Sequence, residues 1–280
     1  MASPEQLVPV GFSLAAGLCW GTSDFSGGYA SRRSNSFLVT ALAHGSGLAL
    51  MLVLALTAQT GLPSTSSRLW AAAAGISGGL ALLIFYGALA KGMGLAAPVA
   101  AVLGAAIPAA FTMITQGPPG GLGLAGFLLA GLGIWLISRP DGSSDQRGIL
   151  MAALAGIGFA GFFLCISRTG ESSALWSGAF SRLASFLLVG AITLFRRKQG
   201  PLLAQDATLA IIAGCLDVTG TALFIRANQT GRLDSAVVLS SLYPALTVLL
   251  AWLFLKEQFT PWKALGMLAA VAAVPLIALQ

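Results

Sequence analysis

Charge is scarce in this sequence: 15 Lys and Arg and 9 Asp and Glu make up only 9% of 280 residues, against roughly 25% in soluble domains. A globule in water must cover its outside with charged and polar side chains, so this composition excludes a soluble domain. It also excludes a disordered chain. Histidine occurs once, at His44, which rules out a His-based metal cluster. The three cysteines, Cys19, Cys165 and Cys215, lie far apart inside apolar runs, with neither pairing nor metal-ligand spacing. They read as small core side chains. The sequence has no Walker motif, no HExxH and no Ser/His/Asp or Cys/His arrangement at a common depth, so neither an enzyme nor a cofactor or metal is expected. The net charge of +6 comes from basic residues clustered between apolar stretches rather than along one face, which argues against a nucleic-acid partner.

What is abundant is apolar: 56% hydrophobic residues and a further 35 glycines. A membrane span needs about 20 mostly apolar residues. Between charge clusters and Pro/Gly breaks, ten are predicted, at 8–30, 36–58, 68–90, 95–116, 119–138, 147–167, 174–195, 206–228, 233–255 and 261–279. The fold class expected is an all-α integral membrane protein, and its setting is a lipid bilayer. The connectors carry turn punctuation, as in Arg32-Arg33-Ser34-Asn35, Gly61-Leu62-Pro63-Ser64, Gly117-Pro118-Pro119-Gly120, Arg139-Pro140-Asp141-Gly142 and Arg196 to Pro201. Met1 to Glu5 has no basic n-region, so the first span is read as mature structure rather than a signal peptide. Odd-numbered connectors hold ten basic residues and even-numbered ones four; the positive-inside rule then puts both termini outside.

The two halves are alike at an offset near 139, where Gly75, Phe85, Ala88 and Gly92 fall on Gly214, Phe224, Ala227 and Gly231. At 136, Val102-Leu103 and Pro108-Ala109 fall on Val238-Leu239 and Pro244-Ala245. At 140, Gly126, Ala130 and Leu136-Ile137 fall on Gly266, Ala270 and Leu276-Ile277. Two units of five helices each are expected, residues 1–139 and 140–280. An odd number of spans per copy makes the second copy enter from the opposite side, which is an inverted repeat.

The ten spans as five plus five, the stretch from Ala227 to Leu255 with Tyr243-Pro244, the Lys256-Glu257 that follows, and Gly266 in the last helix resemble the EamA family of the drug/metabolite transporter superfamily. The resemblance covers nearly the whole chain and is clearest in the second half. It departs where the family has a Gly-Glu pair after the fourth span, since this chain has Gln116-Gly117-Pro118-Pro119. The resemblance implies a multi-pass transporter in a cell membrane, bacterial inner membrane by analogy, exporting a metabolite or drug as a monomer or homodimer. It also implies cytoplasmic termini, against the charge count.

Ionisable groups inside a span cost several kcal/mol unless paired or hydrated, so each is a candidate functional residue. Asp217 is central in the eighth span, and Asp24 lies near the end of the first. His44 and Arg182 each lie about eight residues into spans two and seven, roughly 9–12 Å below the interface. The inverted halves set Asp24 and His44 toward one surface and Arg182 toward the other. Asp217 is the expected coupling or ammonium-binding carboxylate, with a structural pairing to Arg182 as the alternative. Asp24 is a second acidic contact, and Arg182 or His44 would meet a carboxylate of the solute; a zwitterion would suit them. A small-molecule substrate and a coupling ion such as a proton are the expected partners. Trp20, Tyr86 and Tyr243 are placed on the cavity wall, whereas Trp70, Trp176 and Trp262 suit the membrane interface. Pro98, Pro108 and Pro244 are predicted to break the two repeat-equivalent helices beside the site. Gly75 and Gly79, spaced as GxxxG, suit close helix packing. Gly121 to Gly126 spells GxGxxG, but it follows no strand and opens a span, so it carries no nucleotide site. Asn228-Gln229-Thr230 is a glycosylation sequon that matters only in a eukaryotic secretory pathway. The rival to a transporter is a non-transporting subunit of a membrane assembly.

Overall fold

A computed structural model describes residues 4–137, 139, 146–196 and 200–278, and within them the chain is helix and short connection. In chain order the helices are α1 (Pro4–Arg33), α2 (Ser36–Thr57), α3 (Thr65–Leu89), α4 (Met93–Gln116), α5 (Gly121–Ile137), α6 (Gln146–Ser167), α7 (Ala174–Phe195), α8 (Ala204–Thr230), α9 (Leu233–Ser240), α10 (Tyr243–Leu255) and α11 (Pro261–Ala278). Each predicted span coincides with one of these, α9 and α10 together forming the ninth. The connectors at Pro140-Asp141-Gly142 and Arg197 to Gln199, and the last predicted residue of the tenth span, lie outside the described residues. Among the described residues eight helical stretches are long and apolar enough to cross a membrane: α2, α3, α4, α6, α7, α8, α9 with α10, and α11. This is a multi-pass membrane protein. α5 is apolar but only 17 residues long. α1 has the length, at 30 residues, but carries Asp24 in a second half rich in Ser, Thr and Gly.

Side-chain oxygens start several helices where backbone N–H groups would otherwise lack partners. Asn35 accepts from Phe37 N, Ser64 from Ser67 N and Ser173 from Trp176 N. Packing relies on small residues: α1 lies along α8, α3 along α6 and α7, α2 along α7 and α8, α4 along α6 and α9, and α5 along α11. Where two helices come closest the residue is glycine. A Cβ built on Gly75 would stand 2.0 Å from the Ser181 carbonyl oxygen, and one on Gly79 3.0 Å from Ser185 Cα. The GxxxG spacing thus marks the α3–α7 contact. In a bilayer, where apolar burial between helices gains little over lipid, such close van der Waals contact is what holds helices together.

The prolines divide differently from the sequence expectation. The ninth span is broken at Ser241 and Leu242, and Pro244 opens α10. α4, in contrast, runs unbroken through Pro98 and Pro108. A proline ring clashes with the carbonyl four residues earlier, and here those residues are Gly94 and Gly104, whose backbones tilt most freely. Pro244 has Ser240 at that place.

Ion pairs gather at the end of the bundle where α1 finishes. Asp206 is fully buried, paired with Arg33 and accepting from Ser34 Oγ at 2.7 Å. Glu257 is paired with Arg32 and accepts from Gly94 N at 3.1 Å, which ties the end of α10 to the ends of α1 and α4. At the opposite end Gly117, with φ of 84°, forms the α4–α5 turn, and its carbonyl accepts from Arg232 Nη2 at 3.0 Å. Asp206→Ala is expected to lower the stability of the detergent-solubilised protein by about 1–3 kcal/mol, since Arg33 and Ser34 lose an acceptor. Unchanged thermal unfolding would show that this end cluster does not hold α1 to α8.

Candidate functional site

Residues from seven of the helices, with Ser241 at the α9–α10 break, surround a cavity near the middle of the bundle. One wall is aromatic. Trp20 stands 5.7 Å, ring centre to ring centre, from both Phe163 and Phe224, and Phe163 and Phe224 are 4.8 Å apart. Phe159, Phe162 and Tyr243 continue this wall. Ala100, Ala101 and Gly104 of α4 also line the space and, lacking side-chain bulk, leave room beside Phe159 and Phe163.

The polar side is built on α7 and α8. Arg182 Nη2 meets Asp217 Oδ2 at 2.7 Å and Thr221 Oγ1 at 3.0 Å. Its Nη1 lies 3.0 Å from His44 Nδ1. A guanidinium only donates, so Nδ1 accepts and the imidazole is the neutral tautomer protonated on Nε2. Asp217 and Thr221 stand one turn apart on α8, and Thr221 Oγ1 donates to the Asp217 carbonyl at 3.0 Å. Trp20 Nε1 donates to the same carbonyl at 3.1 Å, joining α1 to α8. All four polar partners are buried.

Asp24 is different. It lines the cavity one turn beyond Trp20, is 6% exposed, and among the described residues has no hydrogen bond or ion pair. Tyr243 Oη and Ser241 Oγ, both on the cavity wall, are likewise without a hydrogen-bond partner.

Asp24, Asp217, Arg182, Trp20 and Tyr243 therefore come together around one space, with His44 behind Arg182. Tyr86 does not join them. It is fully buried beside Gly27 of α1, whose missing side chain makes room for the phenol. Pro98, Pro108 and Pro244 are not themselves on the wall, although Ser241 and Tyr243 at the break are. The separation of His44 and Arg182 toward opposite surfaces is also corrected. In antiparallel helices of 22 residues, positions eight from opposite ends lie only about 7.5 Å apart along the axis, and the long arginine spans that gap. Sequence reasoning missed Ser181, Ser185, Thr221 and Phe163. Thr221 had a signal, its place one turn after Asp217.

The molecule is thus a membrane-embedded helical bundle around a largely apolar cavity that carries a buried ion pair. Residues 146–279 match the EamA-like transporter family. An uncharacterized protein of Methanocaldococcus jannaschii is 31% identical over 135 residues, 48% of this chain and 94% of that one. The chain belongs to the EamA-like transporter family, within the drug/metabolite transporter superfamily. Human solute carrier family 35 member G1 is 28% identical over 132 residues, which is 46% of this chain and only 36% of the human protein. A protein of known crystal structure matches 100% of this chain and 99% of its own with a TM-score of 0.74 at 19% identity, a likeness of fold.

Proposed function

We infer that the protein is a secondary transporter of a small organic solute, working by alternating access between two inverted five-helix repeats, residues 1–139 and 140–280, with α1 and α5 among ten membrane spans. The observation that carries this reading is the central cavity, which holds a buried Asp24, without a hydrogen bond or ion pair among the described residues, beside a paired Asp217 and Arg182. A subunit with a purely structural role has no use for such a cavity.

The repeat is supported by reciprocal contacts. A Cβ on Gly126 would meet Ile277 Cγ1 at 2.7 Å, and one on Gly266 would meet Ile137 Cγ1 at 2.8 Å. At the 140 offset these are the same contact made twice, as a two-fold axis requires. Likewise Gly156 abuts the Ala100 carbonyl and Gly17 the Ser240 carbonyl. The pairings α1–α8 and α3–α6 exchange under the same operation. An axis of this kind lets the halves rock about a fixed central site.

With no nucleotide motif, uphill movement draws on an ion gradient, such as the proton's, and downhill movement on the solute's own gradient. The family name supports movement of metabolites, and export across a cell membrane is the direction proposed. The test is uptake into proteoliposomes preloaded with a metabolite mixture, after a thermal-shift screen at two pH values to find ligands. A ligand at 100 times its Kd raises stability by about 2.7 kcal/mol. A ligand that stabilises the protein is expected to show saturable, protein-dependent exchange. Binding without any flux would favour the subunit reading.

A further inference from the structure

The two ends of the bundle are not closed in the same way. At the end where α1 finishes, two ion pairs join residues 1–139 to residues 140–280: Arg32 meets Glu257, and Arg33 meets Asp206. Glu257 also accepts from Gly94 N at 3.1 Å and Asp206 from Ser34 Oγ at 2.7 Å, so each carboxylate holds two points of the first half. At the offset of 139 the counterpart of Asp206 is Ser67, and at 140 that of Glu257 is Gly117. Neither carries charge. The opposite end is held across the halves by neutral acceptors. Ser67 Oγ donates to the Thr169 carbonyl at 3.2 Å, Trp176 Nε1 to the Thr60 carbonyl at 2.9 Å, and Arg232 Nη2 to the Gly117 carbonyl at 3.0 Å. The ion pair at that end, Arg232 with Asp234, lies within the second half. Among the described residues no ion pair joins the halves there.

In an inverted repeat, opening one end to water parts the halves at that end and keeps them together at the other. A chain with matching contacts at both ends would part either with equal ease. Here the end where α1 finishes is the harder to part, because only there does each cation face a counter-charge from the other half. We propose, resting on the transporter reading, that Arg32–Glu257 and Arg33–Asp206 form a one-sided latch. It poises the empty protein closed at the α1 end and open at the Gly117 end. Glu257 is the releasable part: its pair is 27% and 24% exposed, within reach of water. Its bond to Gly94 ties the end of α10 to the start of α4, a helix that lines the cavity. Asp206, fully buried, is the fixed part.

The test reads which face of the membrane reaches the cavity. A single thiol is placed on the cavity wall as Ala101→Cys, in a chain whose Cys19, Cys165 and Cys215 are replaced by serine, and the full-length protein is reconstituted in vesicles. A membrane-impermeant thiol reagent is applied from either face. Phe195→Cys, at a position 85% exposed at the α1 end, reports which face is which. Labelling is expected to be faster from the Gly117 face. Glu257→Gln is expected to raise the rate from the α1 face, relative to the Gly117 face, by about two- to five-fold, the range of a partly exposed ion pair. Asp234→Asn breaks a pair inside one half, so it controls for general loosening and is expected not to raise that ratio. Faster labelling from the α1 face in the unaltered latch overturns the proposal. So does a folded Glu257→Gln with the same ratio, or an equal rise in Asp234→Asn. Where Glu257→Gln fails to fold, Arg32→Gln, which keeps the Gly94 bond, decides in its place. If both faces reach the thiol and the ratio ignores these changes, the latch falls and the transporter stands. If one face alone reaches it in every variant, and proteoliposomes show no exchange of any ligand, the transporter reading falls as well.

Discussion

Asp217→Asn is expected to destabilise the protein by about 3–5 kcal/mol, because it leaves the buried Arg182 guanidinium without its counter-charge. Both side chains are largely buried, at 7% and 13% exposure, so solvent screens this pair less than it screens a surface ion pair. The loss extends past the pair, since Arg182 also holds His44 of α2 and Thr221 of α8. Replacing both partners by apolar residues of similar size, Arg182→Met with Asp217→Leu, is expected to recover most of the stability, since removing both charges avoids stranding either. Neither protein is expected to transport. Thermal unfolding in detergent of Arg182→Met, Asp217→Leu and the double variant forms a cycle whose coupling energy measures the pair directly. Additive effects would mean that Arg182 and Asp217 do not meet in the folded protein. The distinction from Asp24 is sharp: Asp217 is bound to the fold through a cation, whereas Asp24 is bound to nothing described. The first should fail in stability, and the second in transport while the fold holds.

Span positions were legible because hydropathy over 20 residues reflects a strong physical constraint, so α2, α7 and α8 begin within two residues of where the sequence puts them. The polar residues of the site were also legible, because a charge such as Asp217 or Arg182 has no cheap place inside a bilayer. Their partnerships were not. That His44 and Arg182 meet depends on the length of the arginine side chain and the stagger of α2 against α7, and neither is a property of the residue's own segment. Proline gave a mixed signal for a related reason. The glycine four residues before Pro98 and Pro108 lets α4 continue, and the serine four residues before Pro244 accompanies a break, so proline alone does not decide. Tyr86 was misplaced because an aromatic in a span has the same local pattern whether it faces a cavity or fills the notch left by Gly27. Phe163, a neighbour of Trp20, could not be found without knowing which face of α6 turns inward.

Gly75→Ala and Gly214→Ala are expected to be among the most damaging single substitutions, although each adds one methyl group. A Cβ would stand 2.0 Å from the Ser181 carbonyl oxygen in the first case and 2.0 Å from the Ala43 carbonyl oxygen in the second. Those atoms belong to helix backbones, which cannot swing aside as a side chain can, so α3 must part from α7, or α2 from α8. Overpacking typically costs about 1–3 kcal/mol, and these two contacts belong at the top of that range because the obstacle is rigid. Parting α2 from α8 also pulls His44 away from the segment that carries Asp217 and Thr221, so Gly214→Ala should weaken ligand binding as well as stability. Ser185 Oγ donates to the Gly75 carbonyl at 2.7 Å, and that bond across α3 and α7 would stretch in the other variant. Gly11→Ala and Gly131→Ala are the controls, since a Cβ at either place has no atom within 4 Å. Each should be neutral or slightly stabilising, as alanine favours helix over glycine by up to about 1 kcal/mol. Thermal unfolding of the four variants under one detergent condition tests the pattern. If all four match the unaltered protein, the helices are not in contact at Gly75 and Gly214. If only these two fall, close approach at repeat-equivalent glycines is what keeps the cavity's charged residues together.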